Sequence, residues 1–373
     1  MSTLQNNPQR VYWIDVARGL AILSITCCHA ATRSFAIYEG TLLEFQSHSL
    51  VFSILKACLY IFSRLGVPLF LMITGALMLP RDYERKGAVE KLYQNNWLPI
   101  LRTTVIWFGI MYLYLSLFHD SVLRTQGVGK GILKFFETLL FVNQQSFASM
   151  WYMPMILSLY LLLPIMAVGL QHFGDKYFYA LSGLAVLLAM VLPNFNALFA
   201  HLGTEFRLYS SLSVGNLFSV FWVYLFFGYW VRRGKLDRLS DGGVLAGVFL
   251  SFAATVAFQV WVYSGPTDYD VQYQDIGILL TALFLFELLR RKGEEFRGLE
   301  KPVLSLSACA FGIFFLHICL MHGLNQVLKH VGDVPYFSRF FLLEVLSFGG
   351  SWLLVSLTSR WKFFRKYLYM MEK

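Results

Sequence analysis

Residues 12–31 read YWIDVARGLAILSITCCHAA, and the reading of this stretch decides the fold. It is long and apolar enough to cross a bilayer as a helix, yet it carries Asp15, Arg18 and His29. Ionisable side chains inside a membrane helix are costly and face a partner or a cavity. Arg18 and His29 are eleven residues apart. At roughly 100° per residue they fall on one helix face, about 16 Å apart along the axis. Asp15, three residues before Arg18, is within pairing distance of it. One face thus presents a charged clamp at one end and an imidazole towards the other.

The rest of the chain fits this reading. Of 373 residues, 57% are hydrophobic and 14% charged, against about 25% charged in a soluble domain. Ten apolar segments are long enough to span: about 12–32, 51–79, 97–118, 151–170, 177–193, 213–232, 243–263, 274–290, 303–327 and 338–359. The expected fold is therefore an all-α polytopic membrane protein, a bundle of about ten transmembrane helices. It is expected as a single transmembrane domain over 1–373, since no Gly/Ser-rich linker or internal repeat separates a soluble domain. The expected loops on the N-terminal side hold 20 Lys and Arg, the opposite loops 7, which places both termini in the cytoplasm by the positive-inside bias. The same bias explains the net charge of +9 without nucleic acid. Arg18 then lies in the cytoplasmic leaflet and His29 towards the outer one. The charges of the first run also argue against a cleavable signal peptide. The longest outward loop, about 119–150, contains GKGILKFFETLLF, whose apolar positions suggest a helix lying at the interface. The five cysteines, Cys27, Cys28, Cys58, Cys309 and Cys319, sit in apolar runs without metal-ligand spacing. They read as buried small hydrophobes, and no metal site is expected.

Four further motifs stand out. The second span reads SRLGVPLFLMITGALML, with Arg64 deep in the membrane before Gly66 and Pro68, which should loosen the helix. A deep Arg beside a broken helix suits an anion; the alternative is an Arg paired with a carboxylate such as Asp15. The third span opens KLYQNNWLPILR, where Arg102 is either a snorkelling charge or a phosphate contact. The fourth opens with Trp151 and Tyr152, residues of an interfacial belt or a site wall. The ninth holds AFGIFFLHICLMH, whose His317 is a packing residue or a functional one. Glu287 and Glu344 lie near span ends, where they snorkel or pair.

These motifs resemble those of the membrane-bound acyltransferase family 3. Arg18, ten intervening residues and His29 match its R-x10-H pattern; Ser63–Arg64, Val67–Phe70 and Thr74–Gly75 match its SR-x-x-VPLF-x-x-x-[ST]-G. Trp151, Tyr152, Tyr160 and Pro164, and the aromatic run ending in His317, match two later motifs. The third span departs from the family in carrying Asn95 and Asn96 where more basic residues are usual. Within the family the chain resembles the short bacterial O-acetyltransferases of cell-envelope glycans, of the enterobacterial common antigen type.

The resemblance implies an integral O-acetyltransferase of the bacterial inner membrane, multi-pass and surrounded by membrane lipid. It would move acetyl from cytoplasmic acetyl-CoA, a co-substrate and not a bound cofactor, to a glycan or lipid-linked glycan on the periplasmic side. His29, with Arg18 and Asp15, is the implied catalytic set. Arg18, Arg64 and Arg102 are implied to bind acyl-CoA, and Trp151, Tyr152 and His317 to line the acceptor pocket. His29 suits a general base, its ordinary pKa lying near neutrality; an acyl-histidine intermediate is the other route. A proton-coupled glycan transporter or flippase, which also uses Asp, Arg and His within spans, a structural subunit of an export complex, succinyl transfer, and a homo-oligomer are the alternatives.

Overall fold

The computed structural model describes residues 10–118, 127–142, 150–208, 220–265 and 269–371. They are helical, with no strand among them. The helices are α1 Tyr12–Ser34, α2 Thr41–Ser47, α3 Leu50–Ser63, α4 Gly66–Met78, α5 Ala88–Leu92, α6 Leu98–Phe118, α7 Val128–Leu139, α8 Tyr152–Phe173, α9 Asp175–Val186, α10 Leu192–His201, α11 Val220–Arg232, α12 Asp241–Tyr263, α13 Ile276–Lys292, α14 Glu300–Val331 and α15 Tyr336–Thr358. Wider π-type turns join α5 to α6 and α9 to α10.

Among the described residues, 8 helical stretches are long and apolar enough to cross a membrane. They mark a multi-pass membrane protein. The ten expected segments differ from these in two places. The segment at 213–232 is described only as α11, with 209–219 outside the described residues. Those at 274–290 and 303–327 lie in one helical stretch, Ile276–Val331. α1 is among the more enclosed spans: 72% of its most apolar window is buried, against 11% for Tyr179–His201. Most of its surface is therefore packed inside the protein.

The chain divides into two compact units interleaved along the sequence. The first takes Met1–Ile25, Ala36–Ala76 and Ser182–Ser307. Here α4 and α11 cross without side chains between them: a Cβ on Gly75 would lie 1.8 Å from the Leu225 carbonyl oxygen, and one on Gly228 2.0 Å from that of Met72. The expected break in the second span falls at Arg64–Leu65, between α3 and α4. Pro68 sits in the first turn of α4, where its missing N–H costs nothing. Gly66 lets this junction press on α1, since a Cβ there would meet the Ala21 carbonyl oxygen at 2.6 Å. At one end of the unit Lys56 is buried between Glu44 Oε2 and the Ala36 carbonyl, each at 2.5 Å. At the other, Gly293 packs on Trp13 and the Tyr12 hydroxyl donates to the Phe296 carbonyl at 2.7 Å. Glu287, fully buried, accepts there from Arg290 and Arg291.

The second unit takes Thr26–Phe35, Leu77–Leu181 and Ala308–Lys373. Tyr93 and Trp97, from the turn before α6, donate to the Leu161 and Leu157 carbonyls of α8, which contains Pro164. α7 lies where the sequence suggests an interfacial helix. It is tied to α6 by the Tyr112 hydroxyl on the Gly131 carbonyl, and Val128, Ile132, Leu133 and Phe136 remain exposed. The Trp107 indole donates to Leu368 and stacks on Phe315, packing the C-terminal segment against α6 and α14. Phe35, at the end of α1, packs on Phe337 and Phe340 of α15 with ring centroids 5.2 and 6.0 Å apart.

Candidate active site

α1 is unbroken from Tyr12 to Ser34, so the helical spacing of Asp15, Arg18 and His29 holds. In the first unit Asp15 is buried and takes three partners. Arg18 donates to it at 3.2 Å, Arg10 at 2.7 and 3.0 Å, and the Ser307 hydroxyl at 2.5 Å. Arg18 also donates to Ser307 at 2.7 Å and keeps 29% of its side chain exposed. The Asp15 carboxylate holds the Arg10 guanidinium, outside the span, above its ordinary value. This is a carboxylate held by two guanidinium groups and a hydroxyl, with part of the Arg18 side chain exposed.

Arg64 does not join Arg18. The Ser24 hydroxyl donates to the Phe62 carbonyl at 2.8 Å, and Gly66 presses on Ala21 and Ile25. Arg64 thus stands level with Ser24, about 9 Å along α1 from Arg18 by helix rise. Its guanidinium donates to the Tyr38 hydroxyl at 2.7 Å and lies over the Tyr60 ring at 4.5 Å. Tyr38 follows α1, so this cluster lies towards the end of the helix opposite Asp15. Cation–π contact with the buried Tyr60 ring compensates the charge there. Asp15 is instead bonded by Arg10, Arg18 and Ser307.

In the second unit Arg102 lies over the Tyr367 ring at 4.5 Å, and its Nε is buried with no hydrogen-bond partner among the described residues. The C-terminal segment therefore covers it. His29 is partly exposed, while His317 is completely buried; their ring centroids are 5.3 Å apart. His317 Nδ1 lies 2.8 Å from the Ile313 carbonyl, so it carries the proton, and the bare Nε2 is buried with no hydrogen-bond partner among the described residues. Phe314 stands 6.3 Å from His317 and 5.7 Å from Tyr152, and Tyr152 stands 6.3 Å from Trp151. A chain of rings, Trp151–Tyr152–Phe314–His317–His29, thus joins α1, α8 and α14. Residues 143–149, just before it, lie outside the described residues.

Three residues of this arrangement are absent from the expected set. Ser307 shares Asp15, Phe314 bridges Tyr152 to His317, and Glu344 of α15 accepts from Thr26, one turn before His29, at 2.5 Å. An acid within an apolar run was the available signal for Glu344, and the aromatic run ending in His317 was the signal for Phe314; nothing local marked Ser307. Among the described residues no group of three His, Cys, Asp or Glu is placed to hold a metal ion.

The histidine cluster of the second unit can lend a buried-backed imidazole to proton transfer, and the Asp15 cluster of the first can lend a guanidinium to an anion. No curated protein and no solved structure matches the chain. A family model does: that of the acyltransferase domain, over residues 11–356. It covers nearly the whole chain, including Asp15, Arg18, His29, Arg64, Arg102, Trp151, Tyr152 and His317, and the chain therefore belongs to acyltransferase family 3.

Proposed function

We propose that this membrane acyltransferase moves acetyl from cytoplasmic acetyl-CoA to a hydroxyl of an envelope glycan or lipid-linked glycan on the periplasmic side of the bacterial inner membrane. The observation that carries the reading is His29, a partly exposed imidazole backed by buried His317 on the helix that also bears Arg18. Arg18 holds a phosphate of the donor by charge-assisted hydrogen bonds. The rise of α1 between Arg18 and His29, about 16 Å, is comparable with an extended pantetheine arm. His29 takes the proton of the acceptor hydroxyl as its oxygen attacks the thioester carbonyl. The C–S bond then breaks, and the thiolate takes that proton back from the imidazolium. Trp151 and Tyr152 line the acceptor side. In this reading Arg18 is the phosphate contact, and Arg64 and Arg102, each packed against tyrosine, support their own helices.

A second reading has a specific observation in its favour. His317 has its tautomer set by the Ile313 carbonyl and a bare Nε2, so it is the alternative base.

The test uses the detergent-solubilised protein. Acetyl-CoA should raise its unfolding temperature by mass action. Arg18→Ala should weaken full acetyl-CoA more than an acetyl-pantetheine lacking the nucleotide, while Arg64→Ala should not separate the two donors. No thermal shift with acetyl-CoA, and no acyl product on isolated envelope glycans, would overturn the reading in favour of a transporter.

A further inference from the structure

Glu344 of α15 is 6% exposed in a membrane-spanning helix, and among the described residues no ion pair holds it. One carboxylate oxygen accepts from the Thr26 hydroxyl at 2.5 Å, and the Cys27 thiol lies against the same group. The other oxygen, Oε2, is buried with no hydrogen-bond partner among the described residues. The hydroxyls of Ser347 and Ser351, both fully buried, are likewise without one. Residues 344, 347 and 351 fall within about 60° of one another on the helix. A helical serine commonly turns its hydroxyl onto the carbonyl four residues back; these two do not. An intramembrane acid without a cation is costly and is retained for a task.

Its place suggests the task. α15 grips the last turns of α1 at two points. Phe35 packs on Phe337 and Phe340, and Thr26 bonds Glu344. His29 lies between those grips. The aromatic grip is apolar and tolerates rotation of the helix about its axis. The hydrogen bond is directional and does not. Thr26 and His29, three residues apart, lie on neighbouring parts of one face, so a slip at Thr26 re-aims the imidazole and its contact with His317. We propose that Glu344 is a positioning residue: through Thr26 it fixes the rotation of the α1 turn that presents His29. This rests on the reading of His29 as the base. It holds for either protonation state of Glu344, because Thr26 donates to it in both.

The experiment is a double-mutant cycle on the full chain with a readout independent of turnover. Glu344→Ala and Thr26→Val should each lower kcat ~10–100-fold, the scale of a mis-aimed catalytic group, with both KM values little changed. Glu344→Gln and Thr26→Ser keep the hydrogen bond and should keep most of the turnover. The double variant Glu344→Ala/Thr26→Val should be no worse than the poorer single to within about threefold, because the two side chains act as one unit. Carbethoxylation of His29 by diethylpyrocarbonate, followed on its peptide, should change rate in Glu344→Ala and return in Glu344→Gln. Full turnover in Glu344→Ala, losses that multiply, or Glu344→Gln as impaired as Glu344→Ala would each overturn the proposal. If Glu344→Ala does not fold, Thr26→Val against Thr26→Ser decides it. Carbethoxylation that follows the hydrogen bond in a chain without acyl transfer would refute the proposed reaction and leave the positioning intact.

Discussion

His29 and His317 differ in one respect that matters for chemistry: one ring is reachable and the other is not. A base must reach the hydroxyl it deprotonates, so accessibility favours His29. His29→Gln keeps a polar side chain but cannot take a proton near neutrality. It should lower acyl transfer ~10²–10⁴-fold with acetyl-CoA binding unchanged, read by turnover beside thermal shift. His317→Gln should cost less, because the ring behind the base only supports it. A reversal of that order would make His317 the base. Glu344 belongs to the same scale: a half-satisfied acid is informative because its oxygen bonds a residue one turn from the base.

At the scale of elements, two contacts test how the helices are held. Gly75 and Gly228 let α4 and α11 touch backbone to backbone. Gly→Ala within a helix ordinarily stabilises by about 1 kcal/mol. Gly228→Ala should do the reverse, costing about 1–3 kcal/mol as overpacking, while Gly349→Ala, with open space around its Cβ position, should not. Thermal unfolding of the two variants checks the sign. The pair of Glu44 on α2 and Lys56 on α3 is buried on both sides, at 6% and 2% exposure. Glu44→Gln leaves the lysine's charge without its carboxylate and should cost about 3–5 kcal/mol. Adding Lys56→Met should recover much of that loss.

At the scale of the molecule, the side of each loop follows from charge. Within the first unit, residues 236–241 and 287–300 meet one another, and Gly293 and Phe296 meet the start of α1. Tyr38, Glu44 and Val271 gather towards the opposite end, with α3 and Ala36. Single cysteines in a chain freed of its own five test the orientation in intact cells. A membrane-impermeant reagent should label Ser47→Cys and spare Asp237→Cys and Glu295→Cys. The reverse pattern would invert the orientation. The loop positions Gln126 and Asp268, natural choices for the same test, lie outside the described residues.

The sequence by itself determined what depends on spacing along one helix. The length of α1, the common face of Arg18 and His29, and the pairing of Asp15 with Arg18 all follow from a fixed rise and turn per residue. The break before Gly66 and Pro68 was legible for a similar reason, since both residues act on the local backbone. Only the tertiary structure decided which helix stands behind which residue. His317 lies 288 residues from His29 in the chain and Glu344 lies 318 from Thr26; no periodicity links such pairs. Arg64 shows the difference most sharply. Its depth was readable, but its place was not, because the contact of Gly66 with Ala21 and Ile25 sets its level on α1 and the tyrosines around it come from three separate segments. Helix periodicity orders a residue's own helix; the fit of one helix surface into another chooses its partners.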